Sequence, residues 1–279
     1  KMKVLITGKS GFLGKELTGG LKSRYYEVTS IGREEVDLTS SKSVADYFKG
    51  KQFDVLIHTA FQGGKRGQED TLETLINNLA MFNNLAKQSK NYYKLINFCS
   101  GASFDRYRDI YDFNEERYLD CFPRDYYGMS KNIIARECKK LDNVFNLRVF
   151  GCFGVHENET RFIKSSICKA LQNKPIIIHQ NKMMDFISTQ DITSVVDFYM
   201  TNYIEDHFRD INLCYPEKMT LKRIALKIID LTNSKSQIII EKHGFSPTYT
   251  GSNKKFEQLN ISLDGLDRGL IDLVNKIDG

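Results

Sequence analysis

Two residues four apart, Tyr127 and Lys131 in Tyr127-Gly128-Met129-Ser130-Lys131, carry the side chains needed for acid–base chemistry at an oxygen. In a helix that spacing puts both on one face. A phenol titrates near 10 in water and is a poor proton donor or acceptor at neutral pH. A neighbouring ammonium favours the phenolate and lowers that value. A tyrosine so placed can give a proton to an oxygen while hydride reaches its carbon, and the lysine can also reach a cofactor ribose. Ser100, just after the strand-like run 93–98, is a candidate to hold the reacting oxygen; the alternative is a turn hydroxyl bonded to backbone. Tyr-x-x-x-Lys alone is common on surface helices. Its significance here comes from the order along the chain: a glycine turn, then residues 54–60, then Ser100, Tyr127 and Lys131.

The glycine turn is Thr7-Gly8-Lys9-Ser10-Gly11-Phe12-Leu13-Gly14, placed between a strand-like run and a helix-like one. Gly8 can take a tight turn closed to residues with a Cβ. Gly11 lets backbone approach a pyrophosphate, and Gly14 lets the helix pack near the strand. The helix N-terminus then offers unpaired N–H groups and partial positive charge to phosphates. At the end of the second strand, where an NAD site often has a carboxylate for the ribose 2′-OH, stands Gly32-Arg33. An arginine there can bond a 2′-phosphate, which predicts NADP(H) over NAD(H). The alternative is a surface arginine.

These residues need a frame. Lys3–Thr7, 25–31, 53–59, 93–98 and 144–150 read as strands; 12–23, 40–49, 71–87 and 125–141 read as helices, with Ser40 or Ser41 as an N-cap. Strand–helix alternation predicts an α/β fold: a Rossmann-type, doubly wound parallel sheet with helices on both faces. After Gly154 the pattern is irregular. Residues 162–172 and Leu221–Leu231 look helical; 176–179, 211–214 and 237–241 look like short strands. We expect an NADP-binding domain over 1–154 and a smaller α/β substrate lobe over 155–279, partly interleaved, with segments around 186–214 returning to the first domain.

Composition narrows the classes. With 279 residues, 41% hydrophobic and 27% charged, the chain suits a globular protein with a sizeable core. The net charge of +5 is spread among both signs, a solvated surface or a mild field favouring anionic ligands; no basic arm or aromatic-basic ribbon suggests nucleic acid. No apolar run reaches the roughly 18–20 residues that span a bilayer, and the N-terminal run lacks the features of a signal peptide. The six cysteines form no Cys-x-x-Cys pair and no zinc spacing. We expect reduced thiols, no metal, no membrane partner and a cytoplasmic location.

The glycine motif, Asp54-Val55-Leu56-Ile57-His58-Thr59-Ala60, Asn78, Ser100, Tyr127-x-x-x-Lys131, Leu147-Arg148-Val149-Phe150-Gly151, and Asp185-Phe186-Ile187 with Asp191 together resemble the extended short-chain dehydrogenases/reductases that act on nucleotide sugars. The match runs over most of residues 2–215. Within that family the chain is most similar to the GDP-L-fucose synthase group and related 4-keto sugar reductases, through Arg33-Glu34-Glu35-Val36-Asp37-Leu38, Gly63-Gly64 and Phe153-Gly154-Val155-His156-Glu157-Asn158. The resemblance implies cofactor contacts at Gly8, Ser10, Gly11, Phe12, Leu13, Gly14, Arg33, Thr59, Ala60, Asn78, Tyr127 and Lys131. It implies a catalytic role for Ser100, Tyr127 and Lys131, with His156 as an acid or else a polar loop residue. Ser103 is a candidate hydrogen-bond partner of the sugar but a poor base. Arg161, at the start of the lobe's first helix, is a phosphate ligand or a solvent-exposed side chain. Helices 71–87 and 125–141 commonly form a homodimer interface in that family.

Two departures qualify the activity. Ala102 stands where GDP-L-fucose synthase has its cysteine base, and epimerisation needs a base beside the ring. Met184 replaces an arginine usual before the aromatic residue. The expected reaction is therefore NADPH-dependent reduction at C4 of a nucleotide-linked 4-keto-6-deoxy sugar, with the nucleotide base open. Rivals are a 4-epimerase that retains NAD and a non-catalytic NADP-binding regulatory protein. A 4,6-dehydratase would need its Asp-Glu pair at Gly101-Ala102.

Overall fold

A computed structural model describes residues 1–64 and 67–279. The first half runs β1 (Lys3–Thr7), α1 (Phe12–Lys22), β2 (Glu27–Ile31), α2 (Ser41–Phe48), β3 (Phe53–His58), α3 (Leu72–Ala86), β4 (Tyr92–Ser100), β5 (Ile110–Phe113), α4 (Tyr126–Cys138) and β6 (Val144–Val149). The second half holds β7 (Cys152–Phe153), α5 (Phe162–Leu171), β8 (Ile176–Asn181), β9 (Ile187–Ser188), α6 (Thr189–Thr201), β10 (Asp210–Leu213), α7 (Leu221–Leu231), β11 (Ile238–Phe245), β12 (Tyr249–Gly251), α8 (Lys254–Glu257) and α9 (Gly265–Asp278).

Six parallel strands form the central sheet in the order β10-β6-β4-β3-β1-β2. The apolar runs in β1, β3, β4 and β6 explain this: strands covered on both faces have no solvent side to leave polar. Val4, Ile6, Val55, Ile57, Ile96, Phe98 and Leu147 point to one face and meet Leu17 and Leu21 of α1 and Ile192, Val195, Val196 and Tyr199 of α6. Leu5, Leu56, Leu95 and Val144, offset by one residue, point the other way onto Val44 and Phe48 of α2, Phe82 and Leu85 of α3, and Ile134 of α4. This is the expected doubly wound α/β sheet. Strand order reverses between β1 and β3, so the crevice at their carboxyl ends is where a ligand of such a sheet lies.

A second apolar core joins α5, α7, α9 and β8, through Ile163, Ile167, Ile178, Ile224, Ile228 and Leu270. β8 pairs with β11 there. β10 belongs instead to the central sheet, beside β6. A short pair of β5 and β12 lies apart from both, over a small core of Phe104, Ile110, Tyr118, Phe150 and Tyr249.

Two local differences from the sequence-based expectation have simple causes. The second strand begins at Glu27, not Tyr25, because Tyr25 takes a left-handed turn (φ 66°) after α1. α6 was outside the helices expected from apolar spacing. It is rich in Thr, Ile and Val, weak helix formers, and is buried on most of its circumference, so packing holds it. Ser40 caps α2 as expected, accepting from Ser43 N at 3.2 Å. No helix among the described residues is long and apolar enough to cross a membrane.

Candidate active site

The turn between β1 and α1 is built around contacts that only glycine permits. Gly8 has φ 82°, and a Cβ on it would lie 2.7 Å from Thr59 Oγ1. A Cβ on Gly14 would lie 2.1 Å from Gly8 O. Gly11 is the N-cap of α1 and supplies no side chain to bond the first amides, which leaves them to an anion. Ser10 and Gly11 are exposed, and Phe12 and Leu13 half-buried. This cradle fits the pyrophosphate of a dinucleotide. Beneath it, Thr59 Oγ1 donates to Thr7 O at 2.6 Å, and Thr7 Oγ1 lies 2.8 Å from His58 Nδ1. Burial drives the His58 pKa down to about 3, so the ring is neutral. Thr59 thus braces the turn from below, with Ala60 N 3.4 Å from Thr7 Oγ1.

Arg33 is exposed in the turn after β2, and its charge helps hold the Asp37 carboxyl below its usual range, after the larger effect of Thr39. Lys9 and Glu35, which sequence reasoning passed over, form an ion pair at 2.5 Å at the same edge. Glu35 also accepts from Gly32 N at 2.7 Å.

The chain continues from Ala60 over the acid–base pair. Phe61 lies 5.6 Å from the Tyr127 ring, and Lys131 Nζ sits 4.9 Å over Phe61. A Cβ on Gly64 would come within 2.9 Å of the Tyr127 ring. The helix carrying the pair is fixed at its start by Asp125, which accepts from Gly128 N at 2.8 Å and pairs with Arg106 at 2.9 Å. Arg106 also reaches Asp70 at 3.1 Å, and Gly64 N donates to the same carboxylate. One guanidinium therefore ties the loop after β3 to the Tyr127 helix.

Tyr127 and Lys131 share a helix face as the spacing requires, yet their electrostatics differ from expectation. Burial raises the Tyr127 pKa, and the Ser100 hydroxyl and Arg106 oppose that only in part. Lys131 Nζ is 5.7 Å from the Tyr127 ring centre and donates to Phe98 O at 2.8 Å. Burial lowers its own pKa to about 8. The Lys131 amine is thus bonded to the sheet, and burial, the largest influence on the phenol, keeps Tyr127 protonated at neutral pH.

Ser100 ends β4 at the crevice. Its Oγ accepts from Ala102 N at 3.2 Å and lies 3.4 Å from Tyr249 Oη. Tyr249 comes from the far end of the chain, and no motif or spacing marks it.

Four candidates lie outside this group. Asn78 is buried and fully engaged: its amide nitrogen donates to Gln62 O and Ser130 Oγ, both at 3.0 Å, while its oxygen accepts from Gln62 N at 2.8 Å. It braces the loop to α4. Ser103 is wholly buried with its Oγ 3.2 Å from Arg148 Nε. Its hydroxyl accepts from that buried guanidinium. His156 is half-exposed; its Nδ1 lies 3.1 Å from Glu16 Oε1 on α1, and no hydrogen bond among the described residues links it to Ser100 or Tyr127. Arg161 is the N-cap of α5 and pairs with Glu157 at 3.3 Å.

The chain is similar in sequence and in fold to several known proteins. GDP-6-deoxy-D-talose 4-dehydrogenase of Aggregatibacter actinomycetemcomitans is 27% identical over 277 residues, 93% of this chain and 91% of that protein. GDP-L-colitose synthase of Yersinia pseudotuberculosis is 31% identical over 109 residues, 38% of this chain and 35% of that protein. The solved GDP-mannoheptose C4 reductase of Campylobacter jejuni, with NADP bound, superposes with a TM-score of 0.82 at 18% identity, covering 100% of this chain and 99% of that one. The model of the NAD dependent epimerase/dehydratase family matches residues 4–214, and with that match and the Rossmann-type sheet beneath it, the chain belongs to this family.

Proposed function

We propose that this chain reduces the C4 ketone of a nucleotide-linked 4-keto-6-deoxy sugar, using NADPH. The observation that carries the reading is the meeting of Ser100, Tyr127 and Lys131 at the carboxyl end of β4, joined to the glycine cradle by the Ala60–Phe61 backbone.

When bound, NADPH supplies hydride to C4. The Gly8–Gly14 turn holds the pyrophosphate on the α1 N-terminus, and Arg33 bonds the 2′-phosphate. Lys131 holds the nicotinamide ribose. Ser100 orients the keto oxygen, and Tyr127 gives its phenolic proton to that oxygen, completing the alcohol. Solvent then reprotonates Tyr127. Burial keeps the proton on Tyr127 but weakens the phenol as an acid, so the transfer is driven by the basicity of the alkoxide that hydride addition forms. Ala102, buried beside the serine, offers no proton to exchange at the ring carbons, which favours simple reduction over epimerisation. The names of the relatives, both GDP-sugar enzymes, support the substrate class; GDP, CDP, dTDP and UDP sugars are all candidates. A homodimer through α3 and α4, where Leu72 and Ile76 are exposed, and a cytoplasmic location complete the reading.

The test is incubation with NADPH and a panel of 4-keto-6-deoxy sugars on those four nucleotides, following loss of the nicotinamide absorbance. Tyr127→Phe should abolish turnover while NADPH binding persists. Near-wild-type turnover in that variant rejects the assignment.

A further inference from the structure

Tyr249 has no part in the chemistry above, yet the fold takes trouble to place it. Its strand, β12, is held from three sides: Tyr249 N donates to Met183 O at 2.9 Å, Asp185 N donates to Tyr249 O at 3.1 Å, and Tyr249 pairs with Ile110 of β5. Two residues on, Gly251 N donates to Asp185 Oδ2 at 2.9 Å, a carboxylate that also pairs with Lys218 at 2.8 Å. The ring packs edge-on against Phe150, with centroids 5.3 Å apart. Two glycines clear the space. A Cβ on Gly101 would lie 2.4 Å from Phe150 and 2.9 Å from Tyr249 Cζ, and one on Gly251 would lie 2.3 Å from Phe150.

The outcome is a buried phenol whose oxygen lies 3.4 Å from Ser100 Oγ. A buried tyrosine hydroxyl needs a partner, and burial, pushing its pKa up to about 12, keeps it a proton donor. A serine hydroxyl has two acceptor positions and a single proton. Ala102 N fills one acceptor position. Either hydroxyl of the pair could donate; with Tyr249 as the donor the other position is filled, and the serine proton is left for whatever lies on the Tyr127 side.

We infer that Tyr249 is a positioning residue: it donates to Ser100 and turns the serine proton toward the substrate's keto oxygen. The inference rests on the reduction proposed above and adds a residue to it.

The experiment is a double-mutant cycle on the wild-type chain, with the 4-keto sugar of the panel that turns over fastest. Tyr249→Phe removes one oxygen and keeps the ring. It should lower kcat about tenfold, a fraction of what a direct oxyanion donor contributes, with KM and NADPH affinity within about twofold. In a Ser100→Ala background the same change should leave kcat within about twofold, because the hydroxyl it directs is gone. Wild-type kcat in Tyr249→Phe overturns the inference, as does an equal loss in both backgrounds, which marks a role independent of the serine. Replacing Tyr249 by 3-fluorotyrosine keeps a donor and should retain turnover; loss there equal to that of Phe also overturns it. If the wild-type chain reduces no member of the panel, the proposed reaction itself fails, an outcome distinct from a silent Tyr249→Phe.

Discussion

Replacing Lys131 with methionine should make the protein more stable at neutral pH and much less active. Lys131 is 5% exposed and lies among Phe98, Phe61 and Tyr127. Burial lowers its pKa from 10.5 to about 8, opposed weakly by Cys99 and Cys138. At about 1.4 kcal/mol per pH unit, that difference means the folded state disfavours the ammonium by about 3 kcal/mol. The sign follows from proton counting. Between pH 8 and 10.5 the unfolded chain keeps a proton that the folded chain has released, so stability rises with pH across that window. Below pH 8 the whole cost is present. Lys131→Met removes it but also loses the bond to Phe98 O, worth about 1 kcal/mol. The variant should therefore be more stable than wild type by about 1–3 kcal/mol at pH 7, and the advantage should disappear by about pH 10.5. Urea denaturation of both proteins at pH 7, 8.5 and 10.5, without cofactor, measures this directly. A variant less stable at pH 7, or a gap that does not change with pH, refutes the reasoning. If the charged amine holds the ribose, wild-type turnover should also fall as pH rises through about 8. Tyr127 does not compete for that limb, because burial keeps it protonated there.

Three further substitutions probe separate parts of the site. Arg33→Asp should reverse the preference between NADPH and NADH, read from relative affinities by fluorescence titration; unchanged ratios assign Arg33 to the surface. Gly14→Ala puts a Cβ 2.1 Å from Gly8 O, so NADPH affinity should fall at least about tenfold, and an unchanged affinity contradicts the cradle. Ser103→Ala strips an acceptor from the buried Arg148. It should cost about 1–3 kcal/mol in a urea titration and leave the KM for the sugar unchanged; a raised KM with full stability would return Ser103 to the substrate.

The sequence alone determined the central sheet and the cradle, because both depend on local rules. Short apolar, β-branched runs such as 53–58 between helical segments read as strands covered on two faces, and Gly8, Gly11 and Gly14 answer to a turn within eight residues. Four-residue spacing likewise put Tyr127 and Lys131 on one helix face. What lay beyond reach were relations between distant segments. The direction of Lys131 is decided by the Phe98 carbonyl on β4, and the Tyr127 pKa by the loop and strands that bury it. Ser103 and Asn78 are polar residues at suggestive positions, but their partners, Arg148 on β6 and Ser130 on α4 with the Gln62 backbone in the loop after β3, come from other segments. Tyr249 is the extreme case: 149 residues separate it from Ser100, and only the packing of β12 beside β5 brings them together. Spacing along the chain encodes which residues share an element; which groups share a proton or a cavity is set by tertiary packing, since desolvation and hydrogen bonding act through space.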